Sequence, residues 1–503
     1  MIRCLSTFMR KTNNNFPVFI YLVALFFRLV PVIVMRDMGI GLDDMFQYDM
    51  LARSIASGDG YRWYAEKDLP TVLPYLQLDL SSIDYDPRGV LTSFRPPLYP
   101  AFLALLYFIF GMGVKRFLIA RVVQAFLAAT MAPLTYALVL RIFPKKERAS
   151  RVSAWVITLY PMLVIYPLSL ATENLFFVLV LCSLIVLLKA KDSFQVDVPE
   201  LINPQNFLVR SRWFLLAGVL IGLTCLTRSV AQFFASLAVF WLWFILKAHK
   251  QAILTLVIIV LVITPWVIRN SLLYKRITGI ESALGYDLYL GYHPLGTGTF
   301  QYPQSLDLMT MMNDADRDQV GIQKTLEFIK ADPGRIFYLL LRRAGYFFGL
   351  ERRVLTFFYS NNYFGYLPPP VLGSIFTLLC LPFVIISASG VMGLAFISWR
   401  PETCLLGLFL IGYILPHVFI IAEDRFHLTT VPLIAILAAQ FWIGGLASIR
   451  QRWDGSRNGK AALILASIAI LFLFTNWGLE LWRDSDKIAL LFSSNGNEAY
   501  FSY

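Results

Sequence analysis

Two carboxylates stand side by side at Asp43-Asp44, just past the first apolar stretch of a chain otherwise dominated by apolar residues. Adjacent carboxylates repel, so one of them holds its proton more tightly unless a cation or water intervenes, and such a group suits the removal of a proton from a hydroxyl or amine. The same pair can instead decorate the first turn of a helix, where acids complement unpaired backbone N–H groups. Five arginines lie at the edges of later apolar stretches: Arg95 in SFRPPLYP, Arg121 in LIARVVQAF, Arg228 in LTRS, Arg269 in WVIRN and Arg425 in AEDRFH. A guanidinium offers a rigid fork of donors matched to phosphate, and one left without a partner at mid-membrane costs about 2.5–3.5 kcal/mol. Snorkelling to lipid headgroups is the alternative for each taken singly. Acids and arginines facing one compartment describe a site for an amphiphile with an interfacial phosphate. There the arginines steady a departing phosphate while a carboxylate accepts the proton of an attacking group.

The elements that must position these residues are membrane helices. Of 503 residues 57% are hydrophobic and 15% charged, and the mean hydropathy is +0.63. Apolar stretches near 18–35, 117–140, 152–168, 174–188, 213–227, 229–246, 251–268, 371–395, 403–421, 428–446 and 461–478 predict about eleven transmembrane helices in one domain over 1–503. The fold class is therefore an all-α polytopic membrane protein, although several stretches fall short of the ~20 residues that span hydrocarbon. The first stretch has no small-residue cleavage site and reads as an uncleaved anchor. The segment 96–113 opens with two prolines and is short, so it reads as a re-entrant or interfacial helix. With the basic Arg3, Arg10 and Lys11 cytoplasmic, that reading puts four basic loops inside: Lys145, Lys146, Arg148 and Arg151; Lys189, Lys191, Arg210 and Arg212; Lys247 and Lys250; and Arg450, Arg452, Arg457 and Lys460. Two structured caps, 36–115 and 269–370, then face outward, together with Glu173, Arg228 and the turn Glu423-Asp424-Arg425-Phe426-His427.

Other chemistries lack their signatures. The five cysteines, Cys4, Cys182, Cys225, Cys380 and Cys404, show no ligand-like spacing. Neither a P-loop nor a GxGxxG motif after a strand is present, so a nucleotide-linked donor fits less well than a lipid-linked one. His293 and His427 with Asp314, Asp316 and Asp318 show no metal-ligand spacing, and DADRD reads as a solvated loop. The net charge of +12 fits either an anionic partner or basic cytoplasmic loop ends, which would produce much of the same excess, and no nucleic-acid partner is expected.

In order along the chain, the pieces LDDMFQYDMLARSIASGDGY, FRPPLYPAF, ARVVQAF, TPWVIRN, GYDLYLGYHPLGTG and EFIKADPGRIFYLLLRR resemble membrane glycosyltransferases of the C-type superfold. The likeness is to the protein O-mannosyltransferases and the aminoarabinose lipid A transferase in particular, and it covers most of the chain. It implies an inverting transferase that takes a sugar from a polyprenyl-phosphate donor on the outer face and passes it to an acceptor. Asp43 would be the base, with Asp44 standing where the family often has glutamate. Arg95 and Arg121 would hold the donor phosphate, and Arg269 and Arg228 are further donor-site positions. Glu173, in LATENLFF, resembles a family acidic position, although a helix-end cap reads equally well. Tyr48 and Tyr61 would line the first loop, with an interfacial aromatic belt as the alternative. Arg425 and His427 complete the substrate-binding set. Relatives differ in their use of a divalent ion, and no metal or other cofactor is assigned.

A transporter or flippase of a lipid-linked anion is the rival reading, which accounts for the arginines but not for the acid pair. A ligase or polymerase of lipid-linked glycans differs only in the acceptor, which the sequence does not name: protein, lipid or glycan. The absence of an Asn-x-Ser/Thr sequon favours a bacterial plasma membrane. The tail from 479 is expected outside. A single cysteine placed at Arg148 should react with a membrane-impermeant thiol reagent only from the cytoplasmic side, and labelling from outside would overturn the re-entrant assignment of 96–113.

Overall fold

A computed structural model describes residues 15–78, 80–194 and 204–499. Arg3, Arg10, Lys11 and Cys4, the side chain of Arg210 and the end of the tail at 500–503 lie outside the described residues. The described chain is almost wholly helical, and its only strands there form a two-residue antiparallel clip, Arg62–Trp63 on Val90–Leu91.

Among the described residues eight helices are long and apolar enough to cross a membrane: Phe16–Val34, Arg116–Ile142, Glu173–Phe194, His249–Tyr274, Pro369–Leu394, Pro401–Phe419, Asp424–Gly455 and Arg457–Arg483. The other three of the eleven stretches are helical too. Glu147–Leu159 and Pro161–Leu168 make one pair bent by 57°. The bend falls where Tyr160 is extended ahead of Pro161, as the steric clash of a proline ring with the preceding residue requires. The stretch 213–227 lies in helix Pro204–Thr227, of 24 residues, and Ala231–Ile245 is a shorter apolar helix. Close approach between long helices is made by small residues. A Cβ at Gly390 would meet Ile434, and one at Gly393 would collide with the Leu437 carbonyl, which is how helices without a hydrophobic drive between them gain packing.

The segment 96–113 forms helix Leu98–Phe110, which ends at Gly111 with φ +88°. Thirteen residues rise about 20 Å, too little for a hydrocarbon core of about 30 Å. Helix Arg335–Phe347 exposes Phe337, Tyr338 and Leu341 along one side, the pattern of a helix lying in a membrane interface.

Above the long helices sits a second, aromatic core that includes Trp63, Phe94, Tyr286, Met309 and Met312. Here the expectation for DADRD fails. Asn313 caps helix Asp314–Ala331, and Asp314 and Arg317 are fully buried. Asp314 accepts from Thr92 Oγ1 at 2.5 Å, Ser93 N at 2.7 Å and Tyr274 Oη at 2.9 Å, and pairs with Arg317. An acid-rich pattern reads as solvated only while its partners, lying far off in sequence, stay unseen. The same helix seats Leu284–Tyr292: Gly285 N donates to Asp318 Oδ1 at 2.6 Å, and a Cβ on Gly285 or Gly321 would collide with the backbone of the other helix. Helix Asp314–Ala331 thus fixes both the strand leading to Arg95 and the helix carrying Asp287. The tail also packs back, with Arg352 donating to Glu480 Oε1 at 2.8 Å and pairing with Asp484.

Gly321→Ala should force these two helices apart and destabilise the fold by about 1–3 kcal/mol, seen as a lowered thermal midpoint in micelles; an unchanged midpoint would show that this contact yields freely.

Candidate functional site

The acid pair opens helix Asp44–Ala56. Asp43 is its N-cap, its Oδ1 accepting from Met45 N at 2.9 Å, and Asp44 stands in the first turn. The acids therefore start a helix, as one sequence reading expects, and they also line a cavity. The helix is fixed from behind by Asp49, which pairs with Arg53 and Arg116 at 2.8 Å and accepts from Tyr107 Oη at 2.9 Å.

Arg95 reaches the pair on a braced arm. The Tyr61 hydroxyl donates to the Arg95 carbonyl at 2.9 Å, and Arg269 donates to the Thr92 carbonyl at 2.6 Å. The Arg95 guanidinium pairs with Asp44, donates to Gln47 Oε1 at 2.9 Å and lies over the rings of Tyr48 and Phe94. Arg425 takes the other oxygen of Asp44 at 3.0 Å and is held in turn by Glu423 at 2.8 Å.

Two cavities meet at this cluster. The larger, about 550 Å³, is lined by Asp43, Arg353 and Asp424 and by apolar side chains such as Met38, Leu42, Met50, Ile165 and Phe358. The smaller, about 510 Å³, is more polar and takes in Tyr48, Glu173, Arg228, Ser229, Glu281 and Asp318. Asp44, Arg95, Asp287, Phe300 and Arg425 line both. Arg228 pairs with buried Glu173 and donates to Thr172 Oγ1 at 3.3 Å.

The two acids of the pair are electrostatically unlike. Burial pushes the Asp43 carboxyl up, the charge of Asp44 adds to that, and the Met45 N–H and Arg425 oppose both. Among the described residues Asp43 makes no ion pair, and it is open to the larger cavity, so water there moderates the effect. Burial acts the same way on Asp44, but Arg95 and Arg425 outweigh it and hold that carboxyl down to about 2. Asp44 is held as an anion between two arginines, and Asp43 is the more readily protonated of the two.

The remaining sequence candidates take other places. Arg121 is fully buried and donates to the carbonyls of Leu168 at 2.8 Å, Gly39 at 2.6 Å and Met38; it ties the start of the first cap to the bent helix pair and lines neither cavity. Arg269 likewise holds backbone and lines neither. Tyr61 braces the Arg95 arm, while Tyr48 does line the smaller cavity. His427 is buried, stacked on Phe383 at 3.9 Å, with its ring nitrogens 2.8 Å from the Phe347 carbonyl and from Glu351 Oε1. It orders Glu351, which lines the larger cavity. Sequence reading missed Arg353, Glu281 and Asp287. Arg353 sits in ERRVL without distinguishing context, whereas Asp287 lies inside the GYDLYLGY piece already set apart. Among the described residues no three His, Cys, Asp or Glu side chains are grouped to hold a metal ion.

No family model matches the chain, and no curated protein does. Similar solved structures include the oligosaccharyltransferase of Archaeoglobus fulgidus with Zn and sulfate, at TM-score 0.47 and 15% identity over 97% of this chain and 58% of that one. AglB from the same organism, with an inhibitory peptide and a dolichol-phosphate, gives 0.48 and 14% over 97% and 60%. ArnT from Cupriavidus metallidurans, bound to undecaprenyl phosphate, gives 0.41 and 13% over 94% and 72%. The chain thus spans about three fifths of the length of the archaeal structures it matches.

Glu173→Gln should leave Arg228 without its counter-ion and lower stability by about 3 kcal/mol. Adding Arg228→Gln should recover most of the lost thermal midpoint; a double variant as unstable as the sum of the two single ones would show that the pair does not act as a unit.

Proposed function

We propose that this chain is an inverting membrane glycosyltransferase that moves a sugar from a polyprenyl-phosphate donor to an acceptor on the extracytoplasmic face of a bacterial plasma membrane. The observation that carries the reading is the meeting of two cavities at one wall built from Asp44, Arg95 and Arg425, with a second, unpaired carboxylate, Asp43, beside it.

The distribution of charge assigns the substrates. Arg95 and Arg425 face both cavities, Arg353 joins them in the larger and Arg228 in the smaller; the more polar lining of the smaller suits the donor phosphate. Asp43 faces the larger cavity and is absent from the lining of the smaller, so the attacking hydroxyl or amine arrives from the larger side. The apolar lining there suits an amphiphilic acceptor. The nucleophile attacks the anomeric carbon from the face opposite the phosphate, its proton passes to Asp43, and the sugar–oxygen bond breaks with its electron pair going to the phosphate. A phosphate is a good leaving group, so the protein mainly aligns the partners, takes one proton and steadies the developing charge. Arg121, Arg269 and Tyr61 serve by holding the backbone that presents these groups, and His427 serves by ordering Glu351.

The test is incubation of purified protein in lipid with radiolabelled polyprenyl-phosphate sugars, comparing wild type with Asp43→Asn. Asparagine still caps a helix, so the variant should fold. Transfer should fall by about 100-fold or more while donor binding persists, and the wild-type rate should climb with pH above the usual carboxylate range as the raised Asp43 ionises. A near wild-type rate in the variant would remove Asp43 as the base. Binding or flipping of donors without consumption by the wild type would favour the transporter.

A further inference from the structure

Asp287 is the one carboxylate other than Asp44 on the wall that both cavities share. It differs from Asp44 in having no hydrogen bond or ion pair: Asp44 is saturated by Arg95 and Arg425, whereas Asp287 is half-buried and without a partner among the described residues. A side chain that lines two cavities and is bonded to nothing among the described residues is available to whatever fills them. Its place is also rigidly set. Gly285, two residues earlier, is locked to Asp318 and Gly321, and the strand leading to Arg95 is locked to Asp314 on the same helix, so Arg95 and Asp287 share one frame.

The groups around Asp287 decide its state. Burial raises its affinity for a proton, the charges of Glu281 and Asp44 raise it further, and Arg95 and Arg228 oppose them, leaving it pushed up to about 8. Glu281 is itself pushed up by burial, although Ser229, Arg95 and Arg228 pull the other way. A phosphate brought to Arg95 adds another negative charge to this surface and favours the protonated acid still more.

Building on the reading above, we propose that Asp287 is a second substrate-touching carboxyl group, which donates a hydrogen bond from its O–H to the donor phosphate as the sugar leaves. The phosphate begins with one negative charge and ends with two. A neutral O–H aimed at it gives a hydrogen bond that strengthens as that charge develops, where an ionised carboxylate in the same place would repel it. The bookkeeping of the step is unchanged: the acceptor's proton goes to Asp43, the electron pair of the broken bond goes to the phosphate oxygen, and the Asp287 proton stays on Asp287. The residue acts as a donor in the transition state and is left as it began.

The experiment compares wild type, Asp287→Asn and Asp287→Ala with the polyprenyl-phosphate sugar that wild type consumes, from about pH 6 to about pH 10. Asparagine keeps a donor and cannot ionise. The wild-type rate should fall as pH rises through the Asp287 titration, the asparagine variant should keep most of the neutral rate without that alkaline fall, and alanine should lose about 10- to 100-fold in kcat with acceptor KM little changed. An asparagine variant as slow as alanine would show that the carboxylate is needed as an anion and would overturn the proposal; so would a wild-type rate in alanine. If the alanine variant fails to fold, the asparagine profile decides alone. These outcomes are separate from the assignment of Asp43, whose loss as base would appear as an active Asp43→Asn variant with the Asp287 profile intact.

Discussion

An ionised carboxylate recessed in a protein wall needs cations, and Asp44 draws its two from opposite ends of the chain. Arg95 lies 51 residues on and Arg425 lies 381 residues on. The single ionic junction therefore joins the first cap, where the acid pair starts its helix, to the turn that leads into Val431–Gly455. Everything else about the site follows from keeping that junction in register. Asp49 secures the helix below Asp44, Asp314 secures the strand before Arg95, and Glu423 and Arg353 secure the turn of Arg425, Arg353 donating to Glu423 at 3.1 Å. Remove any of these braces and the two cavities lose their common wall.

Charged groups buried for positioning and charged groups presented to a ligand look alike in a sequence, and that limited what could be read there. The apolar stretches were legible because hydrophobicity over some twenty residues is a property of neighbours in the chain. All eleven proved helical; 152–168 is bent at Pro161, and 229–246 forms a helix that is short for a straight span. Asp43, Asp44, Arg95 and Arg425 were recognisable as a set, and the fold gathers them. Arg121 and Arg269 carried the same signal, an arginine at a helix edge, yet their guanidinium groups are consumed by backbone carbonyls. Which of the two fates an arginine meets depends on carbonyls tens to hundreds of residues away, and no local pattern encodes it.

The reverse error occurred at Asp314. Three acids within five residues looked like a solvated face, but the first of them is the hub that fixes Arg95, and the third receives Gly285. Asp287 was passed over for a similar reason. Its neighbours are tyrosines, leucines and glycines, so it read as part of an aromatic cap; only the contact between helices Leu284–Tyr292 and Asp314–Ala331 turns it toward the shared wall. Glycine was the available clue, since Gly285 and Gly321 permit an approach that any side chain would block.

The pairing of Asp44 and Glu173 with the arginines means that the resting site is not an empty cationic pocket. It already contains its own anions. If the site takes a phosphate as proposed, that phosphate does not add charge neutralisation where there was none; it would exchange places with a resident carboxylate, and the free energy of capture would be the small difference between two similar partnerships. Small anions from water, which bring no lipid chain or sugar to tip that balance, meet an internal competitor at very high effective concentration. On the proposed reading the same carboxylates stand ready once the sugar has gone, so that a spent lipid phosphate would be displaced from within by the groups that guard the arginines in the resting state.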